Sequence, residues 1–354
     1  MNILFHSNQI SERGTEIALF DYAAGNQKVL QNNSFVAISR ERIFDTNVLE
    51  RFRQNFNIHL YESKEDLKSF IEKNKIDLIY RIIYGKDKEE PLHDSIPHLN
   101  HCVFSLNAED GTFYCPISPF LNRWFRKSYP VLPHIVKQFS GNTESLRTDL
   151  GIPHDAVVFG GYGAEYNFNI PFVHKTIIDI ASKRKDIYFL FMNFKPFIDK
   201  GAELQNVIFL PKNTDINYKE TFINTCDAMI HARADGETFG LAVAEFSIKN
   251  KPVITWAPNI ISNFIFMIKT IRRYLRKNKY YYATAHLDFL GKKAIRYSEK
   301  NKLADIFMNF RSKYLKNVNY DCYSQLFNEE KVMRIFESIY NKPTKKKEFR
   351  IKQD

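Results

Sequence analysis

Short, unbroken apolar runs of strand length punctuate the chain, with amphipathic stretches between them. In the first half the runs are Ile3–Phe5, Phe35–Ile38, Ile58–Tyr61, Ile76–Tyr80 and Cys102–Leu106. In the second half they are Val157–Phe159, Ile187–Met192, Val207–Leu210, Ala228–His231 and Val253–Trp256. Glu16–Val29, Lys64–Lys73, Phe172–Ser182 and Lys219–Cys226 read as amphipathic helices between them. Continuous rather than alternating apolar strands, interleaved with helices, predict parallel sheets covered on both faces. Two such series in succession predict an α/β protein of two doubly wound, Rossmann-like domains.

The seam is expected at Tyr129–Val136, where Pro130 and Pro133 flank an extended apolar stretch and a helix-like segment, Glu144–Leu150, follows. At 354 residues the chain has room for two domains. The predicted division is 1–140, 141–315, terminal helices over 316–342 that return to the first domain, and a basic tail, 343–354, carrying Lys345, Lys346 and Lys347.

Composition narrows the picture only a little. Hydrophobic residues make up 44%, which argues against disorder. The 31 Phe and 19 Tyr, with abundant Lys, Asn and Ile, read as the codon bias of an AT-rich genome. Cys102, Cys115, Cys226 and Cys322 are far apart, without the spacing of a zinc site or a disulfide framework. The amino terminus has no basic region before its apolar residues, as a signal peptide would, and no apolar run is long enough to span a bilayer. A cytoplasmic location is the simplest expectation. The formal charge of +11 favours an anionic partner without naming it.

Ligands of open parallel sheets bind beyond the carboxyl ends of the strands. After Ala228–His231 the chain reads His231-Ala-Arg-Ala-Asp-Gly-Glu-Thr-Phe-Gly-Leu-Ala-Val-Ala-Glu245. Gly236 marks a turn, and the apolar residues from Phe239 onward predict a helix starting near Thr238. The amides of Thr238, Phe239, Gly240 and Leu241 would then form an anion site at a helix N-terminus. Glu237 precedes this site and Glu245 follows it by eight residues. Physics alone also allows a plain reading, with Glu237 a helix-start acid and Glu245 a solvated face residue.

Glu237 and Glu245, with Phe239-Gly240-Leu241 between them and Lys251-Pro252-Val253-Ile254 after them, resemble the E-x7-E motif of the retaining glycosyltransferases of family 4, glycosyl transferases group 1. The resemblance implies the GT-B fold, two Rossmann-like domains facing across a cleft. It implies a sugar-side, catalytic role for Glu237, ribose binding by Glu245, and diphosphate and sugar binding by the amides of Thr238 to Leu241. Arg13, Gly14 and Thr15, opening a helix after the first strand, resemble the family's glycine-containing loop near acceptor and donor phosphate. Leu132–Val136 resembles its interdomain connection, and Phe327–Phe336 its returning helices.

Two departures stand out. Many family members carry an Arg and a Lys after the first strand of the second domain, but here Phe159–Asn169 holds no basic residue. Gly160 and Gly161 still allow close backbone approach for donor binding, and Arg233, Lys195 and Arg13 are candidates to balance the diphosphate. Nor does Asn107–Gly111 supply the His often found beside the donor sugar. His6, His134, His174, His231 and His286 make no metal-ligand spacing with nearby acids.

Residues 264–282 form a basic segment: Lys269, Arg272, Arg273, Arg276, Lys277 and Lys279 with no acid among them, between an apolar block and three tyrosines. It fits a solvated helix face, a contact with an anionic membrane where a lipid-linked acceptor waits, a site for a phosphorylated acceptor, or a nucleic-acid contact. Nucleic acid is disfavoured because the other basic residues do not cluster. The sequence thus points to transfer of a sugar from a nucleoside diphosphate sugar, as co-substrate, to a glycan or lipid-linked glycan in cell-surface polysaccharide synthesis. No metal or other cofactor is expected, since no Asp-x-Asp pair is placed to hold one. The rivals are a DNA-modifying glucosyltransferase and an inactive sugar-nucleotide-binding scaffold.

Overall fold

The structure, a computed structural model, describes residues 1–7, 9–11, 14–198, 204–213, 215–258, 282–315 and 318–341. Arg13, the tail 343–354 and all of the basic segment but Tyr282 lie outside these residues.

The chain forms two compact units. The first comprises Met1–Ile117, Leu121–Ile135 and, from the far end of the sequence, the helix Glu329–Tyr340. The second comprises Ser118–Phe120 and Val136–Asn328.

In the first unit β1 (Asn2–Ser7), β2 (Asn33–Ser39), β3 (Asn57–Tyr61), β4 (Leu78–Ile83), β5 (His98–Cys102) and β6 (Phe113–Pro116) form one sheet in the order β3-β2-β1-β4-β5-β6. Every pair in it is parallel. Helix Gly14–Lys28 follows β1, and Lys64–Lys73 follows β3 with Ser63 capping its start through Asp66 N–H at 3.1 Å. The apolar face of the latter, Leu67 and Ile71, packs with Leu4, Ala37 and Ile79 of the strands. Helix Glu329–Tyr340 turns Val332, Met333, Phe336 and Ile339 inward at helical spacing. Phe336 meets the rings of Phe5, Tyr22 and Tyr80, and Gly25 leaves room where a Cβ would lie 2.8 Å from Met333.

β5 departs from the sequence expectation, which placed a strand at Cys102–Leu106. Its residues His98-Leu-Asn-His-Cys102 are all buried yet mostly polar. Most of the polar side-chain atoms find partners inside the unit, His101 Nε2 excepted. Asn100 accepts from Arg81 Nε at 2.7 Å and donates to Asp110 Oδ1 at 2.6 Å, and His101 Nδ1 pairs with Tyr80 OH at 2.7 Å. Hydrophobicity therefore misses this strand, and also the short β6.

In the second unit β7 (Val157–Tyr162), β8 (Ile187–Met192), β9 (Val207–Leu210), β10 (Ala228–His231), β12 (Val253–Trp256) and β14 (Ile295–Tyr297) form a second parallel sheet, ordered β14-β12-β10-β7-β8-β9. A two-residue pair, β11 (Gly236–Glu237) with β13 (Ala283–Thr284), stands apart from it. Helix Pro171–Lys183 and helix Lys300–Met308 cover one face, through Val173, Ile177, Leu303 and Phe307. The expected helix at Glu144–Leu150 is instead a turn, Leu150 N donating to Leu146 O at 3.0 Å and Arg147 tying Asp227 at 2.9 Å. Two six-stranded parallel sheets with flanking helices are two Rossmann-like domains.

Candidate active site

The segment after β10 supplies the expected glutamates but arranges their backbone differently. Gly236 and Glu237 are drawn out as β11 against Ala283 and Thr284, which holds back the helix. Phe239 is buried in a cluster of rings with Phe289, Tyr323 and Phe327. The helix runs Leu241–Ile248, not from near Thr238, and its first bond is Ala244 N–H to Gly240 O at 2.9 Å. Gly240 is the N-cap at φ 88°, a left-handed conformation that disfavours any side chain. A first helical turn leaves its N–H groups without partners one turn back, so the donors here are Leu241, Ala242 and Val243. Of the expected cradle, Leu241 remains in it and Gly240 caps it. Thr238 and Phe239 precede it.

Glu237 sits in a cationic setting. Its Oε2 accepts from Arg233 Nη1 at 2.8 Å and its Oε1 lies 3.4 Å from His231 Nε2. Burial pushes the carboxyl up, but Arg233 and the His231 hydrogen bond outweigh it and hold the pKa down to about 2. Glu237 is therefore a fixed anion at neutral pH. Behind it His231 Nδ1 meets Thr255 Oγ1 at 2.9 Å, and Thr255 Oγ1 meets His286 Nε2 at 3.2 Å. Strand register makes this possible, because His231 and Thr255 are partners in the β10–β12 pair.

Glu245 lies one turn into the helix rather than on a solvated face. Lys219 Nζ donates to its Oε1 at 2.9 Å, and Tyr162 OH donates to its Oε2. Only 9% of the Lys219 side chain and 13% of the Glu245 side chain are exposed. Burial and the adjacent Glu245 push the Tyr162 phenol well above its ordinary pKa, so it remains a donor. Lys219 and Tyr162 are functional candidates that the sequence does not flag. Lys219 is a helix residue 26 positions before Glu245, and no local pattern links the two.

Gly160 and Gly161 are accounted for by packing. A Cβ at Gly160 would lie 2.2 Å from Cys226 Sγ, and one at Gly161 would lie 2.8 Å from Ile230 O. Lys195, one of the cations expected to balance the diphosphate, stands over the Tyr166 ring at 5.4 Å. In the first unit Gly14 and Thr15 open the helix Gly14–Lys28, with Thr15 Oγ1 donating to Glu16 at 2.8 Å. His6, at the end of β1, pairs with Tyr61 OH at 2.9 Å, and burial lowers its pKa to about 3. Among the described residues no group of His, Cys, Asp and Glu is placed to hold a metal ion.

No family model matches the sequence, and no curated protein does. Among solved structures the chain is similar to Anabaena Alr3699/HepE in complex with UDP-glucose, with a TM-score of 0.67 at 15% identity over 96% of this chain and 99% of that one. It is similar to a glycosyltransferase from Rickettsia africae, with a TM-score of 0.64 at 11% identity over 97% of this chain and 99% of that one. WaaG, a glycosyltransferase involved in lipopolysaccharide biosynthesis, gives a TM-score of 0.50 at 12% identity over 86% of this chain and 99% of that one. At such identities the likeness speaks for architecture. The chain has the GT-B fold.

Proposed function

We propose that the chain is a retaining glycosyltransferase that moves one sugar from a nucleoside diphosphate sugar to a glycan or lipid-linked glycan, in cell-surface polysaccharide synthesis. The carrying observation is the pair of mostly buried glutamates, each with its own cation, on either side of a helix N-terminus beyond β10. The GT-B fold is shared with a protein solved with UDP-glucose, which agrees with a UDP-sugar as donor.

In this reading Glu245, held by Lys219 and Tyr162, accepts hydrogen bonds from the ribose hydroxyls. The amides of Leu241, Ala242 and Val243 take the diphosphate, with Arg233 adding positive charge. The bond between the anomeric carbon and the diphosphate oxygen breaks, its electron pair leaving with the phosphate. A new bond forms to an acceptor hydroxyl on the same face, and that hydroxyl's proton passes to the departing phosphate oxygen. Glu237 lies beside the sugar as a fixed anion and favours the positive charge that develops at the anomeric carbon. Stabilising both developing charges with groups already in place is the larger part of catalysis in such a site.

The test is a thermal-shift and hydrolysis screen of the full chain against UDP-, GDP-, dTDP- and CMP-sugars. At least one donor should raise the melting temperature and be slowly hydrolysed, and both effects should be lost in Glu245→Ala. A wild-type chain that neither binds nor hydrolyses any of them would overturn the proposal.

A further inference from the structure

Three loops beyond the carboxyl end of the second sheet are tied into one rim. β8 ends at Met192, and Asn193 turns the chain there at φ 65°, a left-handed conformation that asparagine tolerates better than most residues. Its side chain donates from Nδ2 to Gly163 O at 2.6 Å, and Lys195 N–H donates to Glu165 O at 2.9 Å. Between these bonds Phe194 lies against the loop after β7, where a Cβ on Gly163 would come 3.0 Å from its ring. On its other side the same loop is bonded to the one after β10. Asn169 N–H donates to Ala232 O at 3.0 Å, and Asn169 Oδ1 accepts from Ala234 N–H at 2.8 Å. Arg233 falls between those two contacts.

Charge is unevenly committed along this rim. Arg233 is offset by Glu237 at 2.8 Å, and Lys219 by Glu245 at 2.9 Å. The loop after β7 brings no cation of its own. Lys195 is exposed, and among the described residues its ammonium makes no hydrogen bond or ion pair. It stands instead over the ring of Tyr166, a residue of the loop after β7. The charge is thus carried at the middle loop of the three, since β7 lies between β8 and β10 in the sheet. β7 and β10 are direct neighbours, about 4.8 Å apart as strands are, and β10 leads into the helix Leu241–Ile248.

A diphosphate carries more negative charge than the amides of one helix turn offset, which amount to about half a positive charge. We propose that Lys195 is the cation that meets the donor's diphosphate, supplying from the loop after β8 the charge that the loop after β7 lacks. A lysine suits this task as a point charge on a flexible stem, able to leave an exposed ring for a phosphate oxygen. Its role rests on the donor-binding reading above. The same contact favours the charge that collects on the diphosphate as the sugar leaves, so Lys195 serves turnover as well as binding.

The test is calorimetric titration of the full chain with UDP, GDP and dTDP, and with the nucleoside of whichever binds best. Lys195→Met keeps the stem and removes the charge, and at an exposed position it should leave the melting temperature unchanged. It should weaken the diphosphate roughly ten- to a hundredfold, the scale of one charge-assisted hydrogen bond, with the nucleoside's affinity as before. Lys195→Arg should keep most of the diphosphate affinity. Added salt should weaken the wild type more than Lys195→Met. Equal diphosphate affinity in wild type and Lys195→Met overturns the proposal and leaves the donor-binding reading standing, because Glu245→Ala tests that reading separately. Equal loss in Lys195→Met and Lys195→Arg also overturns it, as does a loss shared by the nucleoside, since either marks a role other than charge against phosphate. A wild type that binds none of the three diphosphates overturns the donor-binding reading, and the role of Lys195 with it.

Discussion

Lys219 Nζ lies 2.9 Å from Glu245 Oε1, and the two side chains are 9% and 13% exposed. A pair so far out of water is unequal in its two single deletions. Removing the acid strands a buried cation, while removing the cation leaves an acid that Tyr162 still serves. Glu245→Ala is expected to destabilise the chain by about 3 kcal/mol, and Lys219→Met by less. Urea unfolding of the two single variants and the double variant measures the coupling. Independent, additive effects would break the assignment of these residues to one pair. Calorimetric titration of the best donor should show Glu245→Ala losing about 1–3 kcal/mol of affinity, as for a lost charge-assisted hydrogen bond.

Glu237 should separate from Glu245 by kinetics. Its charge acts on the reacting sugar in the proposed mechanism, so Glu237→Gln should lower kcat at least tenfold while donor affinity stays close to wild type. An unchanged kcat in donor hydrolysis would remove Glu237 from the chemistry. Its carboxyl also leaves a mark on stability. Folding depresses its pKa from 4.5 to about 2, so the folded chain binds fewer protons than the unfolded one between those values. The stabilisation is therefore complete above pH 4.5 and is lost as pH falls towards 2. Glu237→Gln should flatten that part of the stability profile.

Buried histidines set a second, higher window. Burial lowers the pKa of His6, His134 and His286 from 6.5 to about 3, with Arg81 adding to the effect on His6 and His231 to that on His286. Burial also lowers His101 well below 6.5. An unfolded chain takes up protons at these sites as pH drops below 6.5, and the folded chain does not. Stability is full above pH 6.5 and declines steadily towards pH 3. Unfolding midpoints at pH 7.5, 6 and 4.5 check this, each pH being a choice of buffer within about two units of the ordinary histidine value. A flat profile over that range would contradict neutral burial of these rings.

Two glycines should fail in different ways. Gly160→Ala puts a Cβ 2.2 Å from Cys226 Sγ, so it should destabilise by about 1–3 kcal/mol, as overpacking does, with donor affinity intact in what folds. Gly240→Ala asks a side chain to adopt φ 88° and to lie 3.2 Å from Glu237 Cβ. It should cost about 1–2 kcal/mol in stability and a larger factor in turnover, because Glu237 must move. Melting temperatures and donor hydrolysis on the same preparations distinguish the two.

The architecture is legible wherever a strand is apolar throughout. β8, β9, β10 and β12 are found at the residues their hydrophobicity indicates, and helix Lys64–Lys73 at the residues its amphipathic pattern indicates. β5 is not legible, because its burial depends on Arg81, Asp110 and Tyr80 answering its polar side chains from elsewhere in the chain. At the candidate site the spacing of Glu237 and Glu245 can be read directly. The start of the helix between them cannot, because it is set by a strand pair with residues 283 and 284, far along the sequence. Lys219, Tyr162 and Thr255 are invisible for the same reason: each meets a partner distant in sequence, Lys219 from one helix to another and Tyr162 and Thr255 from strands of the sheet.

Helix Glu329–Tyr340 belongs to the first unit although the whole of the second is synthesised before it. During translation Phe5, Tyr22 and Tyr80 therefore wait for Phe336 while more than two hundred intervening residues emerge, most of a minute at the slower ribosomal rates. The second unit ends at Asn328, so its last packing residues, Tyr323 and Phe327, are made before that helix and it can close its core first. Biogenesis of this protein is thus expected to run against its gene order, with the amino-terminal unit completed last. A ribosome stalled before residue 329 should present a protease-resistant second unit and a protease-sensitive first one.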